Sequence, residues 1–467
     1  MRSLNTLVVP VVLIAVAASA YRASGPSIRA AGAAPHRAPA LAVTADARFG
    51  ARRPPASSAW LGRLPDGEMK RRFILGCTGC HVLDQQVAFP EGRPRSVASW
   101  VERIGSMHAR FGPGTGFPII ADPIPADSLA SWLALHLGDA LPASEELTAD
   151  PRVTEFLVPA PQDLPHDLAL LPGGRVAVTG MFTERMYILD PAQGSWSTDT
   201  IPVRLANPRA VHADPDGTLW VVLGAARQLA RRDTSGSWRA TPVGMYAHSV
   251  ARDATGAWVN GHFTGHPTVL AHVRDDGTVT RHELPSATPA GTSPIPYELR
   301  VAPDGRVWMS ELQGNRVLAL DPRTGRHQAF TMPVAHGGPR RLDISADGRV
   351  WIPLYAGGTL VELDPRSGAM RQHTLPDADA LPYVVRVDDT RGVAWVGTGA
   401  SDAVYRLAMT TGRVERIALP SRGALVRHLD VDRTSGDLWV AYGASPGREP
   451  ARIARVRLGA TSSTMRE

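Results

Sequence analysis

Apolar residues follow two different rhythms along this chain. From about residue 60 to residue 138 they recur three to four apart, the period of a helix. Beyond Leu141 they gather into short runs broken by Asp-Gly and similar turns, the pattern of strands. In the first region, Pro65-Asp66-Gly67 leads into a predicted helix over 68–75 that stops at Gly76. A second helix is predicted over 99–111, with Trp100, Ile104 and Met107 on one face. Pro125-Ala126-Asp127 starts a third, with Leu129, Trp132, Leu133 and Leu137 as its apolar stripe and Gly138 as its stop.

In the second region a unit of about 43 residues repeats, which signals stacked supersecondary units. Its marker is a tryptophan in a short apolar strand after a turn: Trp220, Trp258, Trp308, Trp351, Trp395 and Trp439, at spacings of 38, 50, 43, 44 and 44. One step before Trp220 lies Ala177, which has the same turn and strand without the tryptophan, so there are seven units. Several units run on into Leu189-Asp190-Pro191, Leu320-Asp321-Pro322 or Leu363-Asp364-Pro365, and a last strand often ends in Leu-Pro or Met-Pro, as at Leu284-Pro285, Leu375-Pro376 and Leu419-Pro420. Four short strands in each of seven units predict a seven-bladed β-propeller over 150–460. An open solenoid would use coils shorter than 43 residues. Residues 153–158 look like the last strand of a blade and are expected to complete the seventh blade and lock the ring. The fold class is therefore mainly β, a propeller preceded by a small all-α domain over 59–141.

The N-terminus has Arg2, an apolar run over 4–17 and a small-x-small site at Ala18-Ser19-Ala20. That is a secretory signal peptide over 1–20, and it implies a periplasmic protein with no stable membrane span after cleavage. Residues 21–58, rich in Ala, Pro, Ser, Gly and Arg, read as a flexible linker. The net charge of +6 owes much to early arginines such as Arg52, Arg53, Arg71 and Arg72. Aromatics do not interleave with them, so the charge points to solubility or an acidic partner and not to nucleic acid.

Cys77 and Cys80 are the only cysteines, and they stand in Cys77-Thr78-Gly79-Cys80-His81. Two thiols three apart at a helix start can reach both vinyl groups of one haem, and the adjacent His81 then ligates the iron. A redox disulfide would expect a βαβ surround, and zinc would need two further ligands. The expectation is one covalent haem c, exchanging electrons with a redox partner protein. The helical region resembles small monohaem c-type cytochrome domains, in which a helix centred on a tryptophan carries a methionine to the iron. That resemblance names Met107 as sixth ligand, with His108 second; His136 reads as the cap of its helix.

The repeats resemble the virginiamycin B lyase (streptogramin lyase) family. The recurring form is best seen from Pro296-Tyr297-Glu298-Leu299 through Asp304-Gly305 and Trp308 to Asp321-Pro322-Arg323-Thr324-Gly325. The resemblance implies a propeller that opens a cyclic depsipeptide by elimination, with a divalent metal such as Mg²⁺ and a general base. It implies a catalytic Glu311, just after the tryptophan strand, with Tyr297 where the family has histidine. His166 fits the family's histidine position, His248 lies one residue off it, and Arg340 replaces it in a later unit. His166, His212, His248, Glu298, Arg341, Arg386 and His428, with Asn260, His262 and Glu311, are expected to line a polar funnel. Its arginines would suit a small anionic or peptide ligand at the mouth. Three functions remain open on the sequence: electron transfer, a streptogramin-type lyase, and a redox enzyme with a second cofactor in the propeller.

Overall fold

The computed structural model describes residues 54–138, 141–143, 150–443 and 450–458, with the backbone of Ala20–Arg22, Ala38–Pro39 and Ala42–Val43. The signal-peptide reading falls outside the described residues, apart from the backbone of Ala20. Among the described residues no helix is long and apolar enough to cross a membrane.

Residues 153–458 form the seven-bladed propeller. Each blade is an antiparallel meander whose inner strand starts at the central axis, such as Pro165–Leu170 in blade 1 and Pro296–Val301 in blade 4. The tryptophans sit in the second strands, and six of seven turns before those strands carry a positive-φ glycine, for example Gly217 (φ 96°) and Gly305 (φ 82°). In blades 2 and 3 the turn also supplies Asp214 and Asp253, which accept the indole N–H of Trp220 and Trp258 at 2.8 and 2.7 Å. In these two blades an aspartate three residues before the turn glycine thus satisfies a donor that burial would otherwise orphan, whereas the buried indole N–H groups of Trp351 and Trp395 have no partner among the described residues.

Blade 7 draws three strands from the C-terminal part of the chain and its fourth, Val153–Leu157, from the start of the propeller. Val153–Leu157 pairs with Arg452–Val456 over five residues, which closes the ring as the sequence predicted. The segment read as a linker adds three short strands at outer blade edges: Ala20–Arg22, Ala38–Pro39 and Ala42–Val43.

Among the described residues five α-helices precede the propeller: α1 (Ser57–Leu61), α2 (Glu68–Cys77), α3 (Gln85–Ala88), α4 (Val97–Phe111) and α5 (Ala126–Leu137). The predicted helices correspond to α2, α4 and α5; α2 runs two residues further than Gly76 suggested, so it ends on Cys77. Ser96 caps α4, its hydroxyl accepting from Ser99 N–H. Trp60, Phe73, Trp100, Leu129 and Leu133 share one core with Tyr297, Tyr355 and Tyr383 of the propeller, so the helices are packed on the ring.

Phe156 stacks on Trp439 inside the closing blade (centroids 5.9 Å). Phe156→Ala should lower unfolding free energy by about 3–5 kcal/mol in urea titration. A loss no larger than that of a surface substitution would show that this strand does not lock the ring.

Candidate functional site

The mouth is built by a repeated irregularity. Every inner strand begins opposite the end of its second strand, as in Pro165 with Gly180, Pro296 with Glu311, Pro339 with Leu354 and Val426 with Tyr442. In six blades the register then slips by one residue, a β-bulge in the inner strand. The residues just after the strand start therefore meet at the axis: His166, Arg209, His248, Tyr297, Arg340, Tyr383 and Arg427. By register His248 is equivalent to His166, not one residue off, because both sit two before the next paired position (Leu168 and Val250). Arg209, Tyr383 and Arg427 were missed as mouth residues. For Arg209 and Tyr383 the signal was a Pro-x start, shared by Pro165-His166, Pro208-Arg209, Pro296-Tyr297, Pro339-Arg340 and Pro382-Tyr383; Arg427 follows Val426 and has no such signal.

The rings of His248 and His262 stack at 4.4 Å, and Tyr297 lies 4.3 Å from His248. Each histidine donates from Nδ1 to a carbonyl, His248 to Tyr297 and His262 to Pro296, both at 2.8 Å. A carbonyl can only accept, so the proton is on Nδ1 and each buried Nε2 presents a bare lone pair. Arg341 reaches from blade 5 to blade 1 and grips Asp167 with two hydrogen bonds of 2.6 and 3.1 Å. Arg340 lies over Tyr297, Tyr355 and Tyr383, with its guanidinium carbon 4.9, 3.9 and 4.4 Å from the ring centroids. It also donates to the Tyr297 hydroxyl at 2.8 Å. Tyr297 and Tyr383 share a short hydroxyl hydrogen bond. Burial opposes ionisation of Tyr383, but Arg340, Arg427 and Arg341 outweigh it and pull the phenol below its usual range.

Glu311 is fully buried and held by Arg316 Nε at 2.5 Å; burial raises its pKa above the usual carboxylate range. Its described partners are Arg316 and Thr268, whereas His248 and Tyr297 touch each other. The rest of the expected funnel lies one to three residues deeper. Glu298, Arg300, Asp343, Arg386 and His428 line a channel cavity of about 380 Å³ below the mouth, and His212 lies at its rim.

The Cys-x-x-Cys-His segment lies on this mouth. The sequence reading put it at a helix start, but Cys77 is the last residue of α2 and Thr78 its C-cap. The propeller holds the backbone of the segment residue by residue. Tyr355 donates to Thr78 O at 2.9 Å. Arg427 donates to Gly79 O at 3.3 Å and to Cys80 O at 3.2 Å. A Cβ on Gly79 would come within 2.7 Å of Arg340 Nη2, so a larger residue would push the Arg340 guanidinium from its place. Around these contacts Lys70 pairs with Asp379 at 2.7 Å, and Phe117 packs edge-on against Tyr246 and Phe263.

Both cysteines are free thiols. Burial, aided by nearby Cys80, pushes the Cys77 thiol up to about 12, so it is neutral, unlike the thiolate that disulfide exchange needs. His81 Nδ1 lies 3.3 Å from Val82 O, the kind of contact that fixes a ligating imidazole's tautomer. Trp100 and Ile104 of α4 enter the core, but Met107, one turn on, is half-buried and not part of it. The chemistry of the Cys77–His81 segment fits a covalently attached haem: Cys77 and Cys80 would carry it and His81 would ligate its iron, while Met107 is joined to the segment by no described contact. Mg²⁺ fits poorly, because it prefers oxygen ligands and the mouth offers imidazoles, phenols and arginines. Among the described residues no three of His, Cys, Asp and Glu gather in metal-binding geometry.

Comparison with known proteins follows the same division. No family model matches the chain. A virginiamycin B lyase of Nocardia farcinica is 35% identical over 103 residues, 21% of this chain and 34% of that protein. The match thus spans about a third of the curated relative's length. Selenomethionine-substituted virginiamycin B lyase from Staphylococcus aureus superposes with a TM-score of 0.57 at 16% identity, over 66% of this chain and 99% of that one. YCF48 bound to D1 peptide superposes at 0.52 and 13% identity, over 67% and 98%. The propeller of this chain is similar in fold to that of virginiamycin B lyase. A lyase and a peptide-bound protein share this architecture, so the fold does not fix the chemistry.

Burial drives the pKa of His166, His248, His262 and His428 well below the usual histidine range. The unfolded chain therefore binds more protons than the folded one once pH falls through about 6.5. Stability should be full above that pH and decline towards pH 5, seen as a falling thermal midpoint. A midpoint flat from pH 7.5 to 5 would contradict the neutral, buried assignment.

Proposed function

We propose that this chain is an exported c-type cytochrome. One haem, bound through Cys77 and Cys80 and ligated by His81 and Met107, carries single electrons to or from a redox partner protein. The observation that carries this reading is the Cys77–His81 segment itself, two unpaired thiols and an imidazole displayed on the propeller mouth. Attachment by thioether bonds suits a carrier outside the cytoplasm, and Met107 ligation would raise the potential relative to histidine. The helices cover the mouth, so a small anionic ligand is left the opposite end of the channel, beside Arg300, Arg386 and His428.

The test is the optical spectrum of protein matured with cytochrome c assembly machinery. The wild type should show low-spin haem, and Met107→Ala should lose the methionine-to-iron band. Protein that takes up no haem, with both cysteines alkylatable, would overturn the reading.

A second reading, elimination of a cyclic streptogramin, is favoured by the 35% identity to virginiamycin B lyase. Glu311 as its base would first have to leave Arg316, and substrate would have to displace the helices. Incubation of a streptogramin B with protein and Mg²⁺ should leave its chromatographic retention and fragmentation pattern those of the intact ring, since elimination would open it to a linear isomer of the same mass. Ring opening that is lost in Glu311→Gln would establish the lyase instead.

A further inference from the structure

Arg427 and Arg340 bring two full positive charges against the haem-attachment peptide, and both are almost completely buried. Arg427 donates to the carbonyls of Gly79 and Cys80. Arg340 packs on Gly79 and is caged by three tyrosine rings, not paired with a carboxylate. Its guanidinium stays charged: burial works against the charge, but the three tyrosines that cage it, Tyr297 first, favour it. Coulomb interactions are stronger and less salt-screened at such sites than at the surface.

We propose that Arg427 and Arg340 set the redox potential of the haem, the propeller supplying the electrostatic half of the redox centre. This rests on the haem reading above. One electron from a reduced partner protein converts ferric to ferrous iron, with no proton moved, so the site loses one positive charge. Fixed cations beside it favour that change and raise the potential. Charge is among the levers that tune haem. Docking alone would need only hydrogen bonds, and the backbone of Thr78 already has those from Tyr355.

The experiment is redox titration of haem-loaded wild type, Arg427→Gln and Arg427→Lys, with haem content measured in each. Arg427→Gln should shift the reduction equilibrium at least tenfold toward the oxidised form, about 59 mV downward for a one-electron couple. Arg427→Lys keeps the charge but not the two-carbonyl fork, and should recover most of the shift. Equal shifts in both variants would mean that geometry, not charge, matters, and would overturn the proposal; so would no shift in either. If Arg427→Gln does not fold, the wild type still decides. Its potential should hold when salt is raised to about 1 M, where the Debye length is near 3 Å. A potential that falls with salt would assign the effect to surface charge. Wild type without bound haem would sink the haem reading itself, an outcome that the haem content distinguishes.

Discussion

Seven inner strands begin at one level, and the side chains that follow their first residues have to share one narrow axis. In this chain those side chains are three arginines, two tyrosines and two histidines, with no carboxylate in the ring itself. Burying such a set is costly unless each polar group finds a partner. The solution differs by position. The histidines stay neutral and give Nδ1 to carbonyls of the neighbouring blade, His166 to Arg209 and His248 to Tyr297. Arg341, one residue deeper, draws Asp167 across the channel. Arg340 is caged by tyrosine rings, and Arg427 finds its carbonyls outside the propeller, in the Cys77–His81 segment.

That last solution ties the two parts of the molecule together. The helices do not merely neighbour the ring: they provide acceptors that the ring's own strands do not. In turn, the ring holds a short segment whose glycine lies against the Arg340 guanidinium. The mouth of this ring is taken up by a piece of the same chain. The fold similarity to virginiamycin B lyase describes the frame alone.

The blades were legible in the sequence because they rest on local rules. A tryptophan every 43 or so residues and a turn glycine with positive φ are each set by neighbours in sequence. The closing strand was legible for the same reason, as a blade strand with no blade before it. The mouth was only half legible. Histidines drew notice as a type, whereas Arg209, Tyr383 and Arg427 occupy equivalent places with different chemistry. The bulge also defeats alternation, since it turns successive residues toward the axis, and His248 was misplaced by one residue on that account. The docking of Cys77–His81 on Arg427, more than three hundred residues away in sequence, leaves no local trace at all.

The central claim is that the segment held on the mouth carries a covalent haem. Its most direct test is the intact mass of denatured protein after expression with the assembly machinery, compared with Cys77→Ala/Cys80→Ala. The account predicts that the wild type keeps the added mass of one haem through denaturation and that the double variant does not. A wild type at the mass of the bare polypeptide, or a haem that denaturation releases, would contradict it.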